Sequence, residues 1–360
     1  MDKKSIIPFG PQHPVLPEPI HLDLEIQDEK VLRAIPNIGF IHRGLEGLVE
    51  KKDFNTMVYV AERICGICSF GHGMGYCEAL EDLMHVEVPE RAKFLRTIWM
   101  EFSRLHSHLL WLGLCADAFG FESLYYECWR IREHVLDVME NTTGGRIIFS
   151  VNQIGGVHRD LSDEQVRYLN TNLDAIEADV KNVEKTLFHD ATIEKRTRGL
   201  GVLTKEQAHD LGAVGPFARA SGIAIDMRMT GYEAYGQLDF APVTAEDGDC
   251  YSRIVVRTKE IYQSIDLIRQ ALSKLPKGDL NVPVVRGMPK GEAMARVEQP
   301  RGEAIYYVHG DGTRFLKRFR VRTPTFANIA PLCHMLQGAN YADVGILVLS
   351  IDPCISCTER

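Results

Sequence analysis

Two cysteine pairs stand far apart in the chain with the same Cys-x-x-Cys spacing. The first pair is Cys65 and Cys68, in RICGICSFGH, and the second is Cys354 and Cys357, in DPCISCTER. This spacing places two sulfur atoms on one side of a turn, where both can bind one metal ion. Thiolates favour zinc, iron–sulfur clusters, copper(I) or another redox metal. We therefore predict one buried site that combines all four thiolates.

The distance in sequence between the two pairs bears on whether the site is structural or catalytic. A structural zinc site of this type has roughly 15–20 residues between its pairs, because it staples a small module. Here almost the whole chain lies between them, and a protein of 360 residues does not need a metal in order to fold. Chemistry at the centre of the fold explains the arrangement better, although spacing alone leaves structural zinc, an iron–sulfur cluster and a catalytic metal open.

The residues beside the cysteines add to the case for chemistry. Arg63 precedes the first pair, Asp352 precedes the second, and His72 follows Cys68 by four residues. His72 is either a structural histidine or a hydrogen-bond donor to a cysteine sulfur. The other cysteines stand alone in apolar surroundings and are predicted to be small buried hydrophobic residues. They are Cys77, Cys115, Cys128, Cys250 and Cys333.

Composition indicates a soluble globular protein with reduced thiols. Apolar residues make up 45% and charged residues 25% of the chain, both ordinary values for that class. The net charge of −8 disfavours a nucleic-acid partner. The segment MDKKSIIPFGPQHP lacks the apolar stretch of a secretory signal, and no apolar run is long enough to span a bilayer. Nine cysteines without a signal indicate the cytosol, so any membrane association would come through partners.

Helical patterns dominate the middle of the chain and predict a mainly α (α+β) fold with a core of long helices. The segment PERAKFLRTIWMEFSRLHSHLLWLGLCADAF, which starts at Pro89, carries an apolar stripe at helical spacing. Ser162 or Asp163 is the expected N-cap of another long helix, and Thr204 that of a shorter one. The other expected helical segments are 124–139, 161–188, 251–275 and 326–336. No linker separates them, so residues 1–360 are predicted to form one domain.

Strand-like segments flank the helices and predict small peripheral hairpins. HLDLEIQDEKVLRAI alternates apolar and polar residues, as a two-stranded hairpin does. EAIYYVHGDGTRFLKRFRVR has two strand-like runs around a Gly-Asp-Gly turn. Residues 8–19 are rich in proline and expected to be extended, and residues 276–297 are expected to form a loop.

The two cysteine motifs together resemble those of the large, catalytic subunit of [NiFe] hydrogenases. RICGICSFGH is similar to the first cysteine signature of that family and DPCISCTER to its last. Further features resemble the membrane-associated, energy-converting (Ech-like) branch, which is similar to the quinone-site subunit of respiratory complex I. They are FGPQHP near the start, HRGLE within residues 41–46, QIGGVHRD at 153–160 and the terminal arginine.

The resemblance implies a nickel–iron centre held by the four cysteines. Cys65 and Cys354 would be terminal ligands of nickel. Cys68 and Cys357 would bridge nickel to an iron that carries carbon monoxide and cyanide. The implied reaction is H₂ ⇌ 2H⁺ + 2e⁻, in which a terminal thiolate can accept a proton.

Five other residues match family positions around such a centre. Arg301, in EQPRGE, would lie over the open face of the metals with its fixed positive charge, and Asp352 would be its carboxylate partner. Glu18 would pass protons from a cysteine sulfur, a general acid–base role that a carboxyl can take. Pro324 and Thr325 resemble the segment that hydrogen-bonds a cyanide. Without the resemblance, Arg301 is more simply a surface ion pair, Asp352 a cap and Glu18 a solvated residue.

Two positions depart from the commonest family pattern. Ser107 stands where many hydrogenases have an aspartate, so Arg301 is expected to rely on Asp352 alone. Arg360 stands where many relatives end in a histidine that binds magnesium or iron together with a glutamate like Glu46. A guanidinium cannot ligate a cation, so we expect an ion pair between Arg360 and Glu46 and no additional ion. The chain stops where the family's C-terminal tail is removed, which suggests a processed chain or a gene that needs no processing.

These matches predict the catalytic subunit of an energy-converting hydrogenase on the cytoplasmic side of the cell membrane. No third cysteine cluster is present, so no iron–sulfur cluster is expected in this chain. Electrons would pass through a small subunit with a [4Fe–4S] cluster and a ferredoxin-like subunit, and antiporter-like membrane subunits would couple the reaction to ion translocation. Two alternatives stay open. One is a metal-free quinone-site subunit of a complex I-like enzyme, whose family lacks both cysteine pairs, and the other is a scaffold with structural zinc.

Overall fold

A computed structural model of the chain describes residues 4–283 and 287–360. About 51% of the chain is helical and 16% lies in strands, which confirms the mainly α (α+β) class. The helices of the described ranges are α1 Leu45–Val49, α2 Val58–Glu62, α3 Ser69–Met84, α4 Glu90–Ala118, α5 Glu122–Thr143, α6 Asp163–His189, α7 Ala191–Thr197, α8 Lys205–Asp210, α9 Pro216–Arg219, α10 Cys250–Lys274, α11 Pro324–Met335, α12 Val344–Ser350 and α13 Ile355–Glu359. The strands are β1 Ser5–Phe9, β2 His21–Gln27, β3 Lys30–Asn37, β4 Asn152–Gln153, β5 Gly156–Val157, β6 Lys290–Gln299, β7 Gly302–Asp311 and β8 Leu316–Arg322.

The four longest helices form the bundle that the sequence predicted. Helix α4 is buried along nearly its whole length and packs against α5 and α10, while α6 packs against α5 and α10 from the other side. Helix α6 begins with a capping box, in which Ser162 and Gln165 each satisfy the other's backbone N–H. Thr204 caps α8 in the same way. Both predicted caps are therefore confirmed.

Two three-stranded antiparallel sheets are formed by residues 5–37 and by residues 290–322. The predicted hairpin at 21–35 is β2 and β3, and β1 adds a strand at its edge. The second predicted hairpin is β7 and β8, with β6 paired to β7 over its full length. The predicted loop at 276–297 is thus wrong from Lys290 onward. The first half of β6 is mostly exposed, so the apolar alternation that marks a buried strand is absent there.

Helix α3 was not predicted and is the element that follows the first cysteine pair. Its sequence, SFGHGMGYCEALEDLM, has three glycines in its first two turns, and glycine disfavours helix. Close packing explains two of them, because a Cβ at Gly75 would lie 2.3 Å from the Tyr306 ring and one at Gly73 2.6 Å from the Glu62 side chain. Tertiary contact therefore stabilises a helix that local propensity does not favour.

Two hydrophobic clusters meet at the cysteines. The larger cluster includes Ile64, next to Cys65, and the smaller one includes Ile351 and Ile355, which flank Cys354. The four sulfur-bearing side chains form a small buried group of their own between these clusters. Among the described helices, none combines the length and the low charge that crossing a membrane requires.

Candidate metal centre

Both cysteine pairs lie where helices begin. Cys68 is the N-cap of α3 and Cys354 is the N-cap of α13, which carries Cys357 one turn later. The backbone N–H groups of Ile67 and Cys68 point at the Cys65 sulfur, at 3.2 and 3.3 Å. N–H groups at a helix start carry partial positive charge. The local backbone therefore favours thiolate at this position.

The fold brings the four sulfurs together from opposite ends of the sequence. The Cys65 and Cys354 sulfurs are 3.2 Å apart, and those of Cys65, Cys68 and Cys357 all lie within 4.8 Å of one another. Each of the four residues is at most 2% exposed and none is in a disulfide. In the two described ranges, no other set of three His, Cys, Asp or Glu side chains brings its ligand atoms so close.

The charges in this cluster fit a bound soft metal. Hydrogen bonds from Cys354 and Cys357 hold the pKa of Cys68 well below its ordinary value, whereas burial raises that of Cys357 well above it. Like charges this close cannot all ionise by themselves. Four thiolates become stable together only beside a multivalent cation, and sulfur donors select nickel, iron or zinc over hard cations.

His72 links the cluster to the β6–β7 hairpin. Its Nε2 is 3.2 Å from the Cys357 sulfur and its Nδ1 is 2.8 Å from the Tyr306 hydroxyl. Gln299 donates its amide N–H to the same hydroxyl at 2.7 Å, so the hydroxyl proton is left for Nδ1. This network assigns the Nε2 proton to the sulfur. Burial lowers the pKa of His72 to about 4, so the ring is a neutral donor.

Arg301 lies against the first cysteine pair. Its Nη1 is 3.4 Å from the Cys68 sulfur and donates to the Ser107 hydroxyl at 3.1 Å. Its Nη2 pairs with the Asp352 carboxylate at 2.7 Å, and its Nε donates to the Asp352 carbonyl at 2.9 Å. Within the described residues, Asp352 is the one carboxylate at ion-pair distance from Arg301, while Ser107 supplies a neutral oxygen. Burial opposes the charge, yet Asp352 and the cysteines hold the pKa of Arg301 well above its ordinary value.

Glu18 contacts the backbone between the second pair of cysteines. Its carboxylate accepts the N–H groups of Ile355 and Ser356 and the hydroxyl of Ser356. Both residues lie between Cys354 and Cys357. The structure thus brings Glu18 to the cluster, where its carboxylate also caps the N-terminus of α13.

Pro324 and Thr325 begin α11 beside the same loop. The Thr325 hydroxyl accepts the N–H of Cys354 at 3.1 Å, and both residues are buried. Pro324 occupies the first turn of the helix, where it needs no donor. This pair therefore holds the second cysteine loop in place.

Glu46 lies beside the C-terminal residue, Arg360, as the sequence predicted. Arg360 Nε is 2.8 Å from the Glu46 Oε1 atom, which also accepts the Val321 N–H at 2.9 Å, and Arg320 pairs with Oε2. Burial raises the pKa of Glu46, and the three donors outweigh that effect, so it is lowered overall. The expected Arg360–Glu46 ion pair is present in the structure.

Several residues around the cluster were missed by sequence reasoning. Arg43 donates to the carbonyl of Ile64 at 2.6 Å and to that of Ser356 at 3.0 Å, so it ties the two cysteine loops together. Its place in the HRGLE motif was the available signal. Arg257 lies 3.9 Å from Asp352, and Tyr306 contacts His72. No motif marks these two, because only the fold brings them near.

Comparison with known proteins places this arrangement in a family. The nickel-dependent hydrogenase family matches residues 43–115, and the family of the 49 Kd subunit of respiratory-chain NADH dehydrogenase matches 118–287 and 282–360. The membrane-bound hydrogenase subunit alpha of Pyrococcus furiosus is 38% identical over 98% of this chain and 87% of its own length. The carbon monoxide-induced hydrogenase of Rhodospirillum rubrum is 40% identical over 98% of this chain and 99% of its own length.

The chain belongs to the [NiFe] hydrogenase large-subunit family. Its branch is the membrane-bound, energy-converting one that is related to complex I, as the motifs indicated. Subunits of complex I-type enzymes also match this chain over its whole length. An NADH-quinone oxidoreductase subunit of Thermodesulfovibrio yellowstonii is 33% identical over 100% of this chain and 98% of its own length. Family membership therefore establishes an oxidoreductase relationship, and the cysteine cluster must distinguish the two kinds of relative.

Proposed function

We propose that this chain is the catalytic subunit of an energy-converting [NiFe] hydrogenase, which interconverts H₂ with two protons and two electrons. The observation that supports this is the single buried cluster of four cysteine sulfurs, with Arg301 and His72 both directed at sulfur. Cys65, Cys68, Cys354 and Cys357 would together hold the nickel and the iron as thiolate ligands. When bound, such a centre with carbon monoxide and cyanide on iron supplies the redox chemistry that no side chain can.

The protein contributes charge and orientation at this site. Arg301 presents a permanent positive charge beside Cys68, fixed in direction by two bonds to Asp352. Preorganised charge of this kind favours polarisation of a small substrate because it needs no rearrangement during the reaction. Pro324 and Thr325, at the start of α11, are proposed to contact ligands of iron.

Glu18 is the proposed proton acceptor on the side of the second cysteine pair. Its carboxylate contacts the N–H groups of Ile355 and Ser356, between the two ligands of that loop. This position beside the loop of the second cysteine pair supports the proposal, because a carboxylate can accept a proton. His72, which contacts the Cys357 sulfur, stays neutral, so it supports Cys357 as a hydrogen-bond donor and does not compete for the proton.

Other subunits would complete the electron path. Apart from the four clustered cysteines, this chain has only isolated ones, so we infer a small subunit with a [4Fe–4S] cluster and a ferredoxin-like subunit. The relative named membrane-bound hydrogenase subunit alpha supports membrane subunits as further partners, and we propose that these are antiporter-like. We propose a peripheral place on the cytoplasmic side of the cell membrane.

The alternative is a metal-free quinone-site subunit of a complex I-like enzyme. The observation that favours it is the match of the NADH dehydrogenase subunit family to residues 118–287 and 282–360. Such a subunit has no use for four buried thiols, of which two carry raised pKa values and two lowered ones. The thiol cluster therefore favours the hydrogenase.

Replacing a single cysteine of the cluster tests the proposal. In the native complex, Cys65→Ser or Cys357→Ser is expected to abolish both H₂ uptake and proton reduction, because serine does not replace a soft thiolate donor. Activity is measured with an artificial electron carrier, and nickel is measured in the same sample.

Cys333→Ser is the matched control, because Cys333 is a half-buried cysteine of α11 that contacts none of the four. This variant should keep its nickel and its rate. Retained hydrogenase activity in either cluster variant would refute the ligand assignment.

A further inference from the structure

Glu62, the last residue of α2, is a buried carboxyl without a hydrogen-bonding partner. It is 0% exposed, and neither of its oxygens has a hydrogen bond in the described parts of the chain. Buried carboxylates that serve the fold alone normally accept hydrogen bonds, because burying one without any is costly. Glu81 illustrates the usual case, with both oxygens bound to Arg96 at 2.9 and 2.7 Å. Glu62 therefore calls for another explanation.

The inner side of Glu62 faces the start of α3, close to the cysteines in sequence. A Cβ at Gly73 would lie 2.7 Å from the Glu62 Oε1, so glycine is required to leave room for the carboxyl. Ser69 is one turn earlier on the same face of α3 and directly follows Cys68. Its hydroxyl is also buried without a partner among the described residues. Two unsatisfied polar groups thus lie along one helix face that begins at a cysteine of the cluster.

The outer side of Glu62 leads to solvent. Arg63 Nη1 is 3.7 Å from Glu62 Oε2, and the Arg63 side chain is 50% exposed. The same Nη1 donates to the Ser150 hydroxyl at 3.4 Å, on the loop before β4. Glu62 therefore separates the buried start of α3 from a hydrated surface, and Arg63 and Ser150 mark the exit.

The surroundings allow Glu62 to change its charge at neutral pH. Burial raises its pKa to about 7, with smaller opposing effects from Ser150 and Arg63. Cys77 on α3 also interacts with it, and burial raises the pKa of that thiol well above its ordinary value, so Cys77 stays neutral. A carboxyl that titrates near the working pH can both take up and release a proton.

We propose that Glu62 is a second proton-carrying group of this protein, separate from Glu18. Its carboxylate takes one proton that leaves the cysteine cluster by way of the Ser69 hydroxyl, and the resulting acid gives the proton to solvent beside Arg63. Only a proton moves, so no oxidant or reductant is needed. The inference rests on the proposed hydrogenase function, because that reaction produces two protons for each H₂.

The test uses Glu62→Gln in the native complex, since glutamine keeps the shape and cannot carry a proton. We expect kcat for H₂ uptake to fall at least about tenfold with an unchanged KM for H₂ and full nickel content. Glu62→Asp should restore part of the rate. Infrared spectroscopy should show a protonated-carboxyl band in the wild type that titrates near pH 7 and is missing in Glu62→Gln.

Glu78→Gln is the matched control, because Glu78 on α3 also has a raised pKa through burial but lines a surface cavity with Glu87 and Glu90. It should leave kcat unchanged and keep the band. Should Glu62→Gln fail to assemble, Ser69→Ala provides a second probe with the same expected fall in kcat. An unchanged rate in a nickel-loaded Glu62→Gln complex, or an unchanged carboxyl band, would overturn the inference. Such a complex would still be an active hydrogenase, so the proposed function would stand.

Discussion

At the scale of single residues, the direction of the Arg301 guanidinium matters as much as its charge. Its three nitrogens contact the Cys68 sulfur, the Ser107 hydroxyl and two oxygens of Asp352. A planar guanidinium can reach all of these at once, whereas the ammonium of lysine is a single point charge on a flexible stem. Lysine would therefore keep the charge and lose its direction.

Arg301→Lys is expected to lower the turnover of the native complex by roughly 10²–10³, the usual cost of losing one preorganised donor at a reacting centre. Nickel content should stay the same, because no cysteine is changed. H₂ uptake and elemental analysis of the same sample check both points. Arg314→Lys, at an exposed position, is the control. A normal rate in Arg301→Lys would remove Arg301 from the site.

Sequence motifs located the residues that touch the cluster but not the ones that support them. The cysteines, His72 and Arg301 lie within or beside recognisable motifs, and the fold brings all of them together. Tyr306 carries no such signal, and Glu62 directly precedes the first cysteine motif without being part of it. Tyr306 is 234 positions from His72, and their contact depends on how the hairpin packs against α3. A single sequence holds no record of such a contact.

At the scale of elements, α3 is the helix on which the site depends. It starts at Cys68, carries His72 and the glycine that makes room for Glu62, and packs against β6 and β7. Gly75 lets the Tyr306 ring lie directly on the helix, which holds the ring in reach of His72. The small residues of α3 therefore set the position of a hydrogen bond to the cluster.

Gly75→Ala is expected to destabilise the protein, because the new methyl group would lie 2.3 Å from the Tyr306 ring. Overpacking of this kind costs about 1–3 kcal/mol in the free energy of unfolding. Displacement of the ring should also weaken its bond to His72 and lower turnover. Denaturant unfolding and H₂ uptake are the two measurements.

Gly47→Ala in α1 is the control for this experiment, since nothing lies within 4 Å of a Cβ there. Alanine should be neutral or stabilise by about 0.5–1 kcal/mol, as it does in an open helical position. Equal effects of the two substitutions on stability would show that the space beside Gly75 is not limiting.

Elements with a clear amphipathic pattern could be predicted, and those without one could not. Helices α4, α6 and α10 have long apolar faces, and β2 alternates in its burial along its whole length. Helix α3 is rich in glycine, so its sequence lacks a clear apolar repeat at helical spacing. Strand β6 is exposed along its first half, so its sequence lacks the apolar–polar alternation of a half-buried strand. Both are stabilised by contact with each other and with β7.

At the scale of the whole molecule, the fold closes its two ends around one point. Residues 41–43 contact both cysteine loops. The Ile41 N–H donates to the Glu359 carboxylate, and Arg43 donates to the carbonyl of Ile64 in the first loop and to that of Ser356 in the second. The Arg360–Glu46 ion pair adds a further link at the C-terminus. Residues far apart in the sequence thus form one pocket of sulfur ligands.

The spacing of the cysteine pairs predicted this closure, because a site that joins distant pairs requires them to meet. The spacing did not predict which contacts hold the two cysteine loops together. Arg43 donates to backbone carbonyls, which every residue has, so no sequence pattern marks its partners. The spacing does not identify the metal either, because four thiolates can bind several soft metals. The identity of the metal is the point on which the hydrogenase, the metal-free quinone subunit and a zinc scaffold differ.

Elemental analysis of the complex purified from its native host tests the central claim most directly. We predict nickel in about equal amount to this chain, with iron beyond that carried by the iron–sulfur partners, and loss of nickel in Cys65→Ser. Zinc alone at the four cysteines, or no metal at all, would contradict the account.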